Sequence, residues 1–270
     1  MIKTVVIDDI NDVSHLLTEM RYRPDLNRYR SHHIYRGMPD ADYEIMTSLR
    51  RNCKDKGRIL EPTILANFTK YAEIEAPGIE TSVWRQMILG QHHGLPTRLL
   101  DWTFSPMTSL HFATTESDLE DMDKHDAVVW SINVDELHEM LPAKYQDIMT
   151  KTTTTVFSLQ MLQEVCSSLE EYDEDMQGKA MVIVEPPSYE QRIVNQYSFF
   201  AIVPSDMTDV VQFLDEHTEK TVKYIIKKEF RWKLRDMLDQ LNISERIVYP
   251  GLDGLSQWLA RHYYVKGQES

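Results

Sequence analysis

The chain has 270 residues, 42% of them hydrophobic, and a formal net charge of −14. This is enough apolar material for a sizeable core and excludes a disordered chain, while the acidic balance argues against a protein that grips duplex DNA with a basic face and leaves room for a local basic cleft. No window reaches the roughly 18 apolar residues that span a bilayer, the opening MIKTVVIDDINDV has no secretory character, and Cys53 and Cys166 stand far apart outside any CxxC pair, so a reducing cytoplasm is expected rather than a disulfide framework or a zinc-thiolate site.

In chain order, a helix is expected from about Asn11 to Met20, then a short strand over SHHIYRG, Ser31–Gly37, closed by its glycine. Ile64, Leu65, Phe68, Tyr71 and Ala72 fall at helical spacing within Arg58–Ile74, with Pro62 placed in that helix's first turn. A helix over Ser82–Leu89 stops at Gly90. Gly94 and Pro96 then predict an irregular loop. Ser105-Pro106 is a helix start, a capping hydroxyl followed by proline at the first helical position. AVVWSINV from Ala127 reads as a strand and Val156–Leu169 as a helix. AMVIVEPP from Ala180, SFFAIVP from Ser198 and TVKYIIKK from Thr221 read as further strands, and helices near Phe230–Leu241 and Leu252–Tyr264 close the chain. The acidic runs Glu116–Asp123 and Glu170–Asp175 read as solvated loops. Strands and helices are interspersed without glycine-rich βα turns, which predicts an α+β single domain with a mainly antiparallel sheet and flanking helices. Neither GxGxxG nor GxxxxGK[ST] occurs, so no Rossmann or P-loop nucleotide site is indicated.

The segments IYRG (Ile34–Gly37), QHHGLPTRLLDWTFSPMTSLHFA (Gln91–Ala113), QRIVNQYSFF (Gln191–Phe200) and YPGLDGL (Tyr249–Leu255) resemble, in the expected order, the pattern of the FRG domain, a family named for its (F/Y)RG motif. The resemblance runs from about Tyr35 to Leu255 and implies residues 1–30 as a helical lead-in before an FRG-like domain over 31–270 that includes the C-terminal helices. It departs at Tyr197-Ser198, where the family commonly has glycine within Q-x-G-x-F. A second similarity is to ADP-ribosyltransferases, many of which open their sheet with a YRG strand whose arginine holds NAD and follow it with a hydroxyl-bearing strand running into a helix. This implies an NAD-dependent transferase acting on a protein or nucleic-acid acceptor, a role as a bacterial toxin or antiphage effector, and an antitoxin or inhibitor protein as a partner. Arg36 would hold the NAD phosphates, Thr103 and Ser105 would position ribose and nicotinamide, and Asp101 would act electrostatically or as a base. Gln196 or Glu190 would stand where such enzymes carry a glutamate. Tyr35, Gly37, His92, His93, Thr97, Arg98 and Trp102 would complete the NAD-binding surface.

The chemistry is coherent with those residue types. Breaking the nicotinamide glycosidic bond builds positive charge on the ribose, so catalysis is mostly placement and electrostatics. A planar guanidinium suits a diphosphate better than an ammonium. Plainer roles are also open: Arg36 and Asp101 as a buried ion pair, Arg98 and Asp101 as a loop brace, Trp102 as core, Arg192 and Gln196 as an internal polar network, and Gly94 and Pro96 as backbone formers. Adjacent histidines in a strand point to opposite faces, which argues against a metal at His92-His93. The rival functions are a hydrolase or nuclease using His92, His93 and Asp101, and a non-catalytic module that binds a nucleotide or a partner.

Overall fold

Every residue of the run Ala127–Asn133 is buried, so the sheet built around it is covered on both faces. The computed structural model describes residues 1–17, 20–152, 154–188 and 191–267. Strands β1 (Lys3–Ile7), β2 (Arg21–Arg23), β3 (Arg28–Arg30) and β4 (His33–Met38) precede helices α1 (Ser48–Cys53), α2 (Gly57–Ala72) and α3 (Val83–His92). Strand β5 (Leu99–Thr103) runs into α4 (Pro106–Ala113), and β6 (Ala127–Asn133) into α5 (Val134–Glu139) and α6 (Ala143–Thr152). Then follow β7 (Phe157–Ser158), α7 (Leu159–Val165), α8 (Leu169–Met176), β8 (Val182–Glu185), α9 (Gln191–Asn195) and β9 (Ser198–Ile202). The chain closes with α10 (Val210–His217), β10 (Val222–Ile226), α11 (Lys228–Gln240), α12 (Glu245–Val248) and α13 (Leu252–His262).

The eight-stranded sheet has the order β1-β10-β6-β4-β5-β9-β8-β7, and β2-β3 form a separate hairpin. Only β1–β10 and β7–β8 pair in parallel. The fold is therefore α+β with a mainly antiparallel sheet and flanking helices, as the patterning predicts. One face packs on α5 and α10, through Ile34, Val128, Ile132 and Ala201 against Leu137, Phe213 and Leu214. Two separate clusters fill the other side. Tyr35, Val129 and Tyr224 pack with Leu110 of α4 and Phe230 and Leu234 of α11. Leu99, Val182 and Phe200 pack with Trp84 of α3, Leu162 of α7 and Tyr172 of α8.

Several elements differ from expectation. Residues 1–30 hold β1, a short 3-10 turn over Asp12–Leu17 and the β2–β3 hairpin, not a helical lead-in. KTVVI carries three β-branched aliphatics, but it is mostly exposed at the sheet edge and is fixed as a strand by its long-range parallel pairing with β10. Helix α2 starts at Gly57, which puts Pro62 inside it. Helix α3 continues through Gly90 to His92, and Leu95 folds back onto that glycine, where a Cβ would lie 2.6 Å from Leu95 Cδ2. The single helix expected at Val156–Leu169 is β7, α7 and the start of α8, with Ser158 and Ser168 capping the two helices. The acidic run Glu170–Asp175 lies on α8, and its Asp173 is buried.

Candidate active site

Strand β4 pairs with β6 along all six of its residues but with β5 at a single position, Tyr35 opposite Thr103. Past that pair the two strands separate, and a cavity of about 390 Å³ opens at the seam. Tyr35, Arg36 and Gly37 line it from β4, and Asp101, Trp102 and Thr103 from β5. Gln196 and Arg192 close it from α9 and the turn that follows, and Tyr249 from the end of α12. Such a volume is in the range of small-molecule sites.

Local chemistry builds each wall. Gly37 lets β4 seat directly against α4: a Cβ there would lie 1.8 Å from the Ser109 carbonyl oxygen. The Ser105 hydroxyl accepts from the Thr108 N–H at 3.2 Å, capping α4 ahead of Pro106. Thr103 Oγ1 donates to the Gln196 carbonyl at 2.6 Å and accepts from the Ser105 N–H at 3.1 Å. Both alcohols thus shape the strand-to-helix turn. Thr103 reaches the cavity wall and Ser105 does not.

Arg36 is largely buried, and its Nη1 donates to the Asp101 carbonyl at 2.6 Å. The Asp101 carboxylate is 3.9 Å away and its side chain is 61% exposed. The Arg36–Asp101 ion pair is therefore long and open on its carboxylate side, not buried, and the short contact that locks the two strands is to the backbone. Arg36 Nε is buried without a hydrogen-bond partner among the described residues. Burial pulls the guanidinium below its ordinary range, Asp101 opposes this and Arg51 reinforces it. An anion in the cavity would relieve both features.

Gln91 was not expected as a site residue, yet it forms a relay. Its Nε2 donates to the Asp101 carboxylate at 2.9 Å, while its Oε1 accepts from Thr97 Oγ1 at 2.6 Å. Thr97 acts through Gln91 and does not line the cavity itself. Tyr249, part of the YPGLDGL motif, is a wall of the cavity, and Arg192 lies 5.0 Å above its ring centroid. Burial raises the Tyr249 phenol's pKa while Arg192 pulls it down. Gln196 Nε2 donates to the Val248 carbonyl at 3.3 Å and Asn195 Nδ2 to the Ile247 carbonyl at 2.6 Å, so α9 holds the segment carrying Tyr249. Tyr197, where the family pattern has glycine nearby, adopts φ +47°. Glu190 lies outside the described residues.

The remaining expected residues are elsewhere. Arg98 is 3% exposed; its Nε donates to both Glu61 oxygens and its Nη1 to Asp173 at 2.6 Å. It braces α2 to α8, not Asp101. His92 and His93 stack edge-on at 5.2 Å, and His93 faces a hollow between α2 and α3. Among the described residues, His92, His93 and Asp101 do not gather within reach of one metal ion. Trp102 belongs to the core and shows one edge to the cavity.

The FRG domain model matches residues 31–122. That span supplies β4, β5 and α4, one side of the cavity; Arg192, Gln196 and Tyr249 lie beyond it. No curated protein and no solved structure matches the chain.

Proposed function

Residues 31–122 being an FRG domain, we propose that the chain is an NAD-dependent ADP-ribosyltransferase-like enzyme that modifies a macromolecular acceptor, protein or nucleic acid. The observation that carries this reading is the convergence of Arg36, Asp101, Thr103 and Gln196 on one cavity at the β4–β5 seam. Arg36, with its unpaired Nε, takes the diphosphate. The Arg192–Tyr249 wall offers a cation and a ring face to a nucleotide. Asp101, oriented by Gln91, faces the ribose as positive charge develops there. The bond from ribose C1′ to the nicotinamide nitrogen breaks, and nicotinamide leaves with the electron pair. C1′ bonds to the acceptor's nucleophilic atom, whose proton passes to Asp101. Thr103 and Ser105 act by fixing the turn that carries Asp101 and α4. A toxin or antiphage role, with an inhibitor protein as partner, follows by analogy with transferases of this kind.

A specific observation favours a second reading. Gln196, not a carboxylate, sits in the turn between α9 and β9, and its amide is engaged with Val248. A module that binds the nucleotide without turning it over would tolerate this.

The test is purified protein with labelled NAD and cell lysate, read as nicotinamide release and label transfer, alongside calorimetry with ADP-ribose. Transfer that is lost in Arg36→Ala supports the enzyme. ADP-ribose binding lost in Arg36→Ala, without turnover, selects the binding module. Folded protein that neither binds nor reacts overturns both. No described helix is long and apolar enough to cross a membrane.

A further inference from the structure

Strands β2 and β3 form a two-stranded ribbon outside the main sheet, and its sequence is RYRPDLNRYR, Arg21–Arg30. Ten residues carry four arginines against one aspartate, in a chain whose net charge is −14. The register sets Arg21 opposite Arg30, Tyr22 opposite Tyr29 and Arg23 opposite Arg28. Like charges at directly opposed positions destabilise a hairpin. Here the fold sets Arg23 directly opposite Arg28. Asp25 pairs with Arg23 at 3.0 Å, and Asp135 lies near Arg23 without a salt bridge to it. Arg28 and Arg30 have no ion-pair partner among the described residues. A ribbon that keeps this repulsion has an external anion as its natural counter-charge.

The ribbon is also a built object and not a frayed loop. Pro24 presets one turn position and Asn27 takes φ +50°. The Tyr22 hydroxyl donates to the Asn27 side-chain oxygen, which holds its ring beside Tyr29 with centroids 5.4 Å apart. Both rings are exposed, 43% and 61%. Alternation along the strands puts the two tyrosines on one face and Arg23 and Arg28 on the other. A two-stranded ribbon is thin enough for a strand wrapped over its edge to set phosphates against the arginine face and unstacked bases against the paired, solvent-facing rings. A duplex keeps its bases stacked and would leave the rings unused.

We propose that the β2–β3 ribbon binds single-stranded nucleic acid. The ribbon's foot points the strand toward the cleft. Arg23 and Arg30 meet Phe104, Phe199 and the Asp135–His32 pair around a hollow of about 290 Å³, and those two phenylalanines, with ring centroids 6.2 Å apart, directly follow the cleft residues Thr103 and Ser198. The inference stands on the ribbon and does not require the cleft to process NAD.

The experiment is fluorescence anisotropy with labelled single-stranded RNA and DNA of about 16 nucleotides, a blunt duplex, polyglutamate and phosphatidylserine vesicles, from about 50 to 200 mM salt. The full chain should bind the single strands more tightly than the duplex. Replacing both Arg28 and Arg30 with alanine should weaken binding about tenfold and reduce the salt slope by about 1.4. Tyr29→Ala should weaken it about fivefold or more with the slope unchanged. All three positions are exposed, and the variants should melt with the wild type. Absence of single-strand binding, binding indifferent to these substitutions, or preference for the duplex, polyglutamate or vesicles would overturn the assignment.

Discussion

Tyr35 and Thr103 are the one registered pair through which β4 and β5 meet. The same Thr103 side chain ties β5 to the Gln196 carbonyl and to the Ser105 N–H. One residue therefore closes the sheet at its seam and sets the lip of the cavity beside it. Arg36, next along β4, enters the space where pairing has stopped. The cavity exists because the sheet is continuous at one rung only.

Thr103→Val tests this directly, since valine keeps the shape and removes both hydrogen bonds. It leaves the Gln196 carbonyl and the Ser105 N–H short of a partner at a mostly buried position. A loss of about 1–3 kcal/mol in urea denaturation is expected, together with weaker ADP-ribose binding because the cavity lip loosens. Stability equal to wild type would show that water replaces the threonine and that the turn is held by other contacts.

Arg98 and Asp101 stand three residues apart and should behave oppositely. Removing the Arg98 side chain leaves Glu61 and Asp173, only 1% and 7% exposed, without a cationic partner. Arg98→Ala should cost about 3–5 kcal/mol. Asp101 is exposed and 3.9 Å from Arg36, so Asp101→Ala should cost under about 1 kcal/mol while abolishing the proposed transferase activity. Matched melting curves for the two variants would contradict this assignment of the buried charge.

Much of the fold was legible because its signals are local. A run of seven buried residues announces β6, and Ser105-Pro106 announces α4. The elements that escaped are those whose burial comes from tertiary contacts: β1 lies half exposed on β10, and α2 begins before the apolar spacing that revealed it. The YRG arginine and the DWT strand were readable as a pair. Their meeting at one rung was not, because sequence carries no register between strands 60 residues apart. Arg98 was misplaced for the same reason. Its partners lie 37 and 75 residues away, so nothing beside it in the chain marks it as structural. Tyr249 and Gln91 escaped because a lone tyrosine and a lone glutamine have no local signature for the wall or the relay they form.

Two buried histidines make the fold sensitive to acid. At His138 the Ile183 N–H donates to Nε2 while Nδ1 faces the Thr155 carbonyl, a pattern that only the neutral ring satisfies. At His111 an Arg235 N–H points at Nδ1. Burial, joined at His111 by Arg235, lowers their pKa values to about 4 and about 3. The unfolded chain binds these protons below about pH 6.5 and the folded chain does not, so stability is full above pH 6.5 and falls as the pH drops. Each histidine should remove about 3 kcal/mol by pH 4. Glu245 adds to the loss at lower pH. Despite an opposing desolvation, the hydrogen bonds from Arg261 hold its carboxyl at about 2, so its contribution is present above about pH 4.5 and disappears toward pH 2. Urea midpoints across this range, with imidazole NMR shifts, provide the check. Titration of either ring near pH 6.5 in the folded protein would remove its part of the effect.

Gly37 offers the most severe single-atom test of how the cavity is built. Its Cα faces the α4 backbone, and an added Cβ would meet the Ser109 carbonyl oxygen at 1.8 Å and the Ala113 nitrogen at 2.8 Å. Backbone atoms cannot swing aside as a side-chain tip can, so Gly37→Ala must push α4 off β4. Overpacking of this kind costs about 3 kcal/mol. The displacement would also carry Phe112 and Thr115 away from Arg36 and widen the cavity they share. The expected result is a lower melting temperature and a rise in the dissociation constant for ADP-ribose larger than any caused by Gly94→Ala, a loop position where an added Cβ has no atom within 4 Å. Because Gly94 has φ +82°, that control still pays a backbone cost of about 1 kcal/mol, which separates strain in general from strain at the seam. Equal binding by the two variants would mean that the approach of α4 to β4 does not shape the ligand site.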